Sequence, residues 1–174
     1  PRYGVPFLGS SDMLNADLST LPLLQRKYAQ SKKLAHLELS PGTTLITCSG
    51  TIGRMAYVRP DMAGMWSSQH IMKVVPNPER IPPGYLYAFL SSRYGVPLVV
   101  SGTYGAIIQH IEPEHIADLP VPRFESNFEQ KVAQAVEAAA VERVAASQHR
   151  RAAIELLEAK IDWSDQPRPI AIAP

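Results

Sequence analysis

At 174 residues, 45% of them hydrophobic and with 17 Lys or Arg against 16 Asp or Glu, the chain has material for one moderate core. A formal net charge of +1 is too small for bulk electrostatics alone to establish a nucleic-acid partner. The single cysteine, Cys48, excludes an intrachain disulfide framework and suits a reducing cytoplasm, the expected location.

The charge is unevenly placed. Residues 1–123 hold 11 Lys or Arg against 8 Asp or Glu, a net +3, together with four histidines; residues 124–174 hold 6 against 8, a net −2. The chain opens on Arg2-Tyr3-Gly4-Val5-Pro6-Phe7-Leu8-Gly9, which predicts one short strand ending in a Ser10-Ser11-Asp12 turn. No initiating Met, signal peptide or transmembrane run precedes it, which suggests a fragment of a longer chain with no membrane partner. Arg26, Lys27, Lys32 and Lys33 then fall within eight positions, next to a helical turn predicted in residues 31–39. Such a cluster is either a solvated face or a phosphate-contacting patch.

Residues 41–58 predict a strand, a presenting loop and a second strand. Residues 44–48 are β-branched and apolar, and residues 52–58 alternate in the manner of a half-buried strand. Between them stand Ser49, Gly50 and Thr51. Gly50 and Gly53 permit positive φ or a close backbone approach, leaving amides, two hydroxyls and Arg54 to face a phosphate or a base edge; the alternative is a plain hairpin. In the next predicted strand Ile71, Lys73 and Val75 share one face and His70, Met72 and Val74 the other. Gln69 can pair with adenine and Lys73 can reach guanine or phosphate, while His70 on an apolar strand is also readable as a structural histidine.

After Pro82-Pro83-Gly84, residues 85–92 predict a helix with Leu86, Phe89 and Leu90 on its core face. Residues 95–100 return to apolar, β-branched residues, and Ser101-Gly102-Thr103-Tyr104-Gly105 repeats the texture of the first glycine loop. Two such loops can hold a phosphate backbone between them, with Thr103 and Tyr104 as donors. Gln109, His110 and His115 follow. His110 and His115 are five apart with a proline between them, and no zinc-ligand spacing occurs, so no metal or other cofactor is expected. Leu119-Pro120-Val121-Pro122 gives an extended exit. Ser126-Asn127-Phe128-Glu129 then matches a capping box, and from Ser126 to Ile161 there is neither Gly nor Pro. Phe128, Val132, Val136, Ala139, Ile154, Leu157 and Ile161 predict a narrow apolar stripe on a rod of roughly 50 Å, suited to a partner helix or coiled coil. The expected division is thus 1–122 globular, 123–162 helix and 163–174 disordered tail or linker.

Taken in order, residues 42–54, Ser68-Gln69-His70-Ile71, residues 84–92, Gly102-Thr103-Tyr104-Gly105 with Ile111, and Leu119-Pro120-Val121-Pro122 before a long helix resemble the specificity subunit of type I restriction-modification systems. The likeness covers about residues 5–161 and follows one target recognition domain with its spacer helix. It implies a mixed α/β (α+β) target recognition domain with a long, coiled-coil-like C-terminal helix. The domain would read one half of a bipartite site in double-stranded DNA. The spacer would pair antiparallel with another, set the half-site separation and dock methyltransferase (modification) subunits, with a restriction subunit joining through the complex. A complete subunit has two of each part and this chain one, so a homodimer through the long helix is expected to imitate the whole. Catalysis would belong to the partners. Ser49, Thr51, Arg54, Gln69, His70, Lys73, Thr103, Tyr104 and Gln109 are the candidate DNA contacts, chosen as polar residues beside the motif glycines.

Three competing readings use the same residues. One is an enzyme with Cys48 or Ser49 as nucleophile and His70 or His110 as base, although Cys48 in an apolar run is better read as a small buried hydrophobe. Another is a coiled-coil assembly protein without DNA specificity. The last is the recognition part of a fused restriction-methylation enzyme.

Overall fold

A computed structural model of the chain describes residues 3–105 and 110–161. Its architecture is mixed α+β, with two small three-stranded sheets and a long C-terminal helix. The first sheet has the order β2-β1-β5. β1 (Gly4–Leu8) runs antiparallel to β2 (Leu23–Gln25), with Val5 opposite Leu24, and parallel to β5 (Trp66–Ser67), with Phe7 opposite Trp66. In the second sheet β3 (Thr44–Thr47) lies between β4 (Met55–Tyr57) and β6 (Ile71–Val74), antiparallel to both. Leu45 stands opposite Ala56 and Lys73, and Ile46 opposite Met55 and Met72.

The period-two side-chain alternation of strands decides how the second sheet divides the core. Leu45, Ala56 and Ile71 turn to one face and pack with Leu8, Met13, Leu39, Val58 and Met62. Ile46 and Met55, backed by Met72 and Val74, turn to the other and meet Leu86, Leu90, Val99, Ile111 and Ile116. Those partners come from α2 (Pro83–Leu90), α3 (Gly95–Ser101), α4 (Pro113–Ala117) and the segment between the last two. β3 is buried along its whole length, and Leu45 and Ile46 have no exposed surface, each worth roughly 1.5–3 kcal/mol of apolar burial. A smaller cluster of Val5, Ala29, Leu37 and Trp66 lies under α1 (Arg26–Ala29) and a 3₁₀ turn at Ala35–Leu37. Predicted strand faces in residues 71–74 match this arrangement. Within residues 52–58, only Met55–Tyr57 pair as strand, because the glycine loop extends through Arg54.

The β-branched run at 95–100 is helical. Its proline, Pro97, occupies the first turn, where the missing N–H removes no intrahelical bond, and the Ser92 hydroxyl accepts from the Tyr94 and Gly95 amides at 3.2 and 3.1 Å.

α5 (Ser126–Glu158) departs from its expected start and from its expected stripe. Ser126 is the first helical residue rather than the cap, Glu125 takes the N-cap position without a side-chain bond, and no capping box forms. Glu129 instead accepts from the Phe124 amide at 2.9 Å and from the Arg123 guanidinium at 2.9 and 2.8 Å. The buried positions of the helix are Glu129, Ala133, Ala140 and Ser147, with Val136 and Val144 half-buried between them. This stripe lies against α2 and the Pro60–Met62 turn, where small residues let backbones approach closely. Its partner is the chain's own body, while the predicted Phe128 is 51% exposed. Arg150 reaches Asp17 at 3.6 Å, and every residue from Gln148 to Glu158 is exposed, including Ile154, Leu156 and Leu157. The expected tail at 163–174 lies outside the described residues. Among the described residues no helix is long and apolar enough to cross a membrane.

Candidate functional site

The C-terminal end of β3 organises a polar cluster of loops. Thr47, 1% exposed, is the pin. Its amide donates to the Arg54 carbonyl at 2.9 Å, and its carbonyl accepts from the Gly53 amide at 3.0 Å. Its hydroxyl accepts from the Arg54 amide at 3.0 Å and donates to the Thr51 carbonyl. Gly50 and Gly53 take φ of +78° and +79°, as the turn requires. A Cβ on Gly53 would also fall 2.7 Å from the Val100 side chain of α3. We expect Thr47→Val, which keeps the shape and removes the hydroxyl, to cost roughly 1–3 kcal/mol by orphaning two backbone groups. Its readout is the urea midpoint, and an unchanged midpoint would show that the hydroxyl does not hold the loop.

Cys48 carries this loop to two others. Its amide donates to the His70 carbonyl at 3.0 Å, and its carbonyl accepts from the Ile111 amide at 3.2 Å. Ser49 and Tyr104 each bridge His110, and Tyr104 and His110 exchange amide bonds of 3.1 and 2.9 Å. Their rings stand 6.1 Å apart, and the Tyr104 hydroxyl donates to the Glu112 carboxylate, which raises its pKa. The His70 amide is held by the Ser68 hydroxyl at 3.1 Å. One end of the second sheet therefore gathers the segments bearing Ser49, Thr51, Arg54, Gln69, His70, Tyr104 and His110. Thr51, Arg54, Gln69, His70 and Tyr104 are exposed, and among the described residues no carboxylate pairs with Arg54.

Other candidate contacts sit differently. Lys73 shares the face of Ile71, and its ammonium donates to the backbone carbonyls of Glu38, at 2.8 Å, and His36. Burial lowers its pKa, and it ties β6 to the 3₁₀ turn instead of projecting with the loops. The Thr103 hydroxyl is enclosed, with no hydrogen-bond partner among the described residues. Gln109 lies outside the described residues. His115 is a packing residue, with Nε2 2.9 Å from the Leu98 carbonyl and its ring against Gly102.

Desolvation pushes the Cys48 thiol pKa up, which keeps it protonated at neutral pH. Its sulfhydryl donates to the Gln69 carbonyl at 3.9 Å, and no described imidazole bonds to it or to the Ser49 hydroxyl. No described group of three or more His, Cys, Asp or Glu is placed to hold a metal. Sequence reasoning passed over two residues that shape the site, Thr47 and Glu112. A hydroxyl closing an apolar run just before a glycine turn is the signal for Thr47; Glu112 has none, because Tyr104 meets it only through the fold. No protein-family model and no curated protein matches the chain.

Proposed function

We propose that the chain is the DNA-reading specificity module of a type I restriction-modification system: a target recognition domain, reading half of a bipartite duplex site, with its spacer helix. The observation that carries the reading is the convergence of three polar loops on the end of β3, with Arg54, Gln69 and His70 exposed together. Arg offers a bidentate fork to guanine, Gln one to adenine, and glycine-loop amides suit phosphate oxygens. The chemistry available there is recognition, and methyl transfer and cleavage belong to methyltransferase and restriction subunits. The free end of α5, with Ile154 and Leu157 exposed on successive turns, supports a role as spacer and docking element, including pairing with a second copy.

Selection of bound sequences from a random duplex library at near-physiological salt tests the reading. A short enriched motif, split by a fixed gap when two copies or a partner are present, is the expected result. No enrichment, with binding that vanishes as salt rises, would overturn it. Within an enriched site, Arg54→Ala should cost roughly 1–3 kcal/mol and relax one base preference. Unchanged affinity would remove Arg54 from the interface.

A further inference from the structure

The loop cluster does not use the four cations near the N-terminus. Between Asp17 and Glu38 the sequence contains no acidic residue but holds Arg26, Lys27, Lys32, Lys33 and His36. All five are exposed, and among the described residues no carboxylate lies within ion-pair distance of Arg26, Lys27, Lys32 or Lys33. A patch of like charge without counter-ions is costly to hold together and favours an anion over it.

The segment bearing these cations, residues 26–38, is also held against β5 and β6, the strands on either side of Gln69 and His70. Trp66 Nε1 donates to the Leu34 carbonyl at 3.0 Å, the Ser67 hydroxyl to the Leu37 carbonyl at 3.3 Å, and the Lys73 ammonium to the His36 and Glu38 carbonyls. A groove of about 390 Å³ is lined by residues of both regions, Phe7, Tyr28 and Leu34 together with Gln69 and His70. Lys27 and Lys33 are the chain neighbours of the lining residues Tyr28 and Leu34, and Tyr28 is itself 59% exposed. Gln69 and His70 are in turn bonded through their backbones to Cys48. Gln69 and His70 therefore link the glycine loop, through Cys48, to the groove shared with Tyr28 and Leu34.

We propose that α1 and the turn after it form a phosphodiester clamp, in which Arg26, Lys27, Lys32 and Lys33 hold the DNA backbone flanking the base pairs met by the loop cluster. This rests on the DNA-reading function proposed above. A clamp of this kind contributes affinity and orientation without sequence information, because phosphate contacts are blind to base identity. Its rigid mounting on β5 and β6 sets the register of the loops on the duplex.

The test is the salt dependence of duplex binding by the full chain and by a variant carrying Arg26→Gln, Lys27→Gln, Lys32→Gln and Lys33→Gln. Each phosphate contact contributes about −0.9 to the slope of log affinity against log salt. The variant is expected to lose roughly 3.6 from that slope and to bind more than tenfold more weakly at low salt, while enriching the same motif. An unchanged thermal midpoint confirms folding, as all four side chains are exposed and, among the described residues, without a carboxylate partner. A parental slope retained by the variant, with enrichment intact in both, would overturn the clamp and leave the reading function standing. Retained slope with capture of the parent, but not the variant, on anionic vesicles would reassign the patch to a lipid surface. No duplex binding by the parent at any salt would overturn both proposals.

Discussion

Replacing Gly84 with valine is expected to lower stability by roughly 3 kcal/mol and to loosen α5 from the body. A Cβ at Gly84 would stand 2.7 Å from the Ala133 carbonyl oxygen and 2.8 Å from its Cα, distances at which backbone must move. Two effects compete in the milder Gly84→Ala. Alanine gains up to about 1 kcal/mol of helix propensity over glycine within α2. Its methyl group nevertheless meets main chain on a second helix, which cannot rotate aside as a side chain could, and overpacking of this kind costs roughly 1–3 kcal/mol. The clash should win even for alanine, and valine adds two more carbon atoms at the same contact. Denaturant unfolding gives the stability, and limited proteolysis within α5 reports its release. A Gly84→Ala chain as stable as the parent would show that the helices do not meet this closely.

The second large effect concerns acid. Glu129 is 2% exposed, and the Arg123 guanidinium, followed by the Phe124 amide, holds its carboxyl down at about 2 against an ordinary value of 4.5. A carboxyl with a depressed folded pKa contributes stability that is fully present above the unfolded value and disappears as pH falls through the folded one. Stability from this group should therefore be intact at neutral pH and decline between about 4.5 and about 2. Glu129→Gln should lower the neutral melting temperature and flatten the acid limb of the profile across that window. Melting curves from pH 7 to pH 2 for both chains check this. Parallel profiles would mean that the pair does not anchor the start of α5.

How much was legible in the sequence depends on whether the governing contacts were local. The β3–β4 hairpin, the split of Ile71 and Met72 to opposite faces, the core face of α2 and the length of α5 all follow from periodicity and glycine placement, and all are present. The parallel pairing of β1 with the two residues of β5 had no such signal, as strands this short carry no period. The side of α5 that docks was misread for a physical reason: Ala133, Ala140 and Ser147 are too small to stand out in a hydrophobic pattern, yet smallness is what lets Ala133 meet α2 and the later positions meet the rest of the body. Glu129 was assigned to a cap because three-residue spacing cannot reveal that Arg123 lies within reach. For the loop cluster, the sequence indicated Ser49, Thr51, Arg54, Gln69, His70 and Tyr104 one by one. Their assembly at one sheet end depends on backbone bonds made by Cys48, whose side chain had drawn the attention.

That double use of the Cys48 main chain constrains how this surface can change over generations. Because its amide and carbonyl are bonded to His70 and Ile111, lengthening or shortening any one of the three loops next to these bonds would disturb the other two. Insertions and deletions at this end should be selected against, while exchanges of the exposed side chains leave the main-chain bonds untouched. Diversity in what the surface contacts is therefore expected to accumulate as substitutions at Ser49, Thr51, Arg54, Gln69 and His70, on loops of constant length.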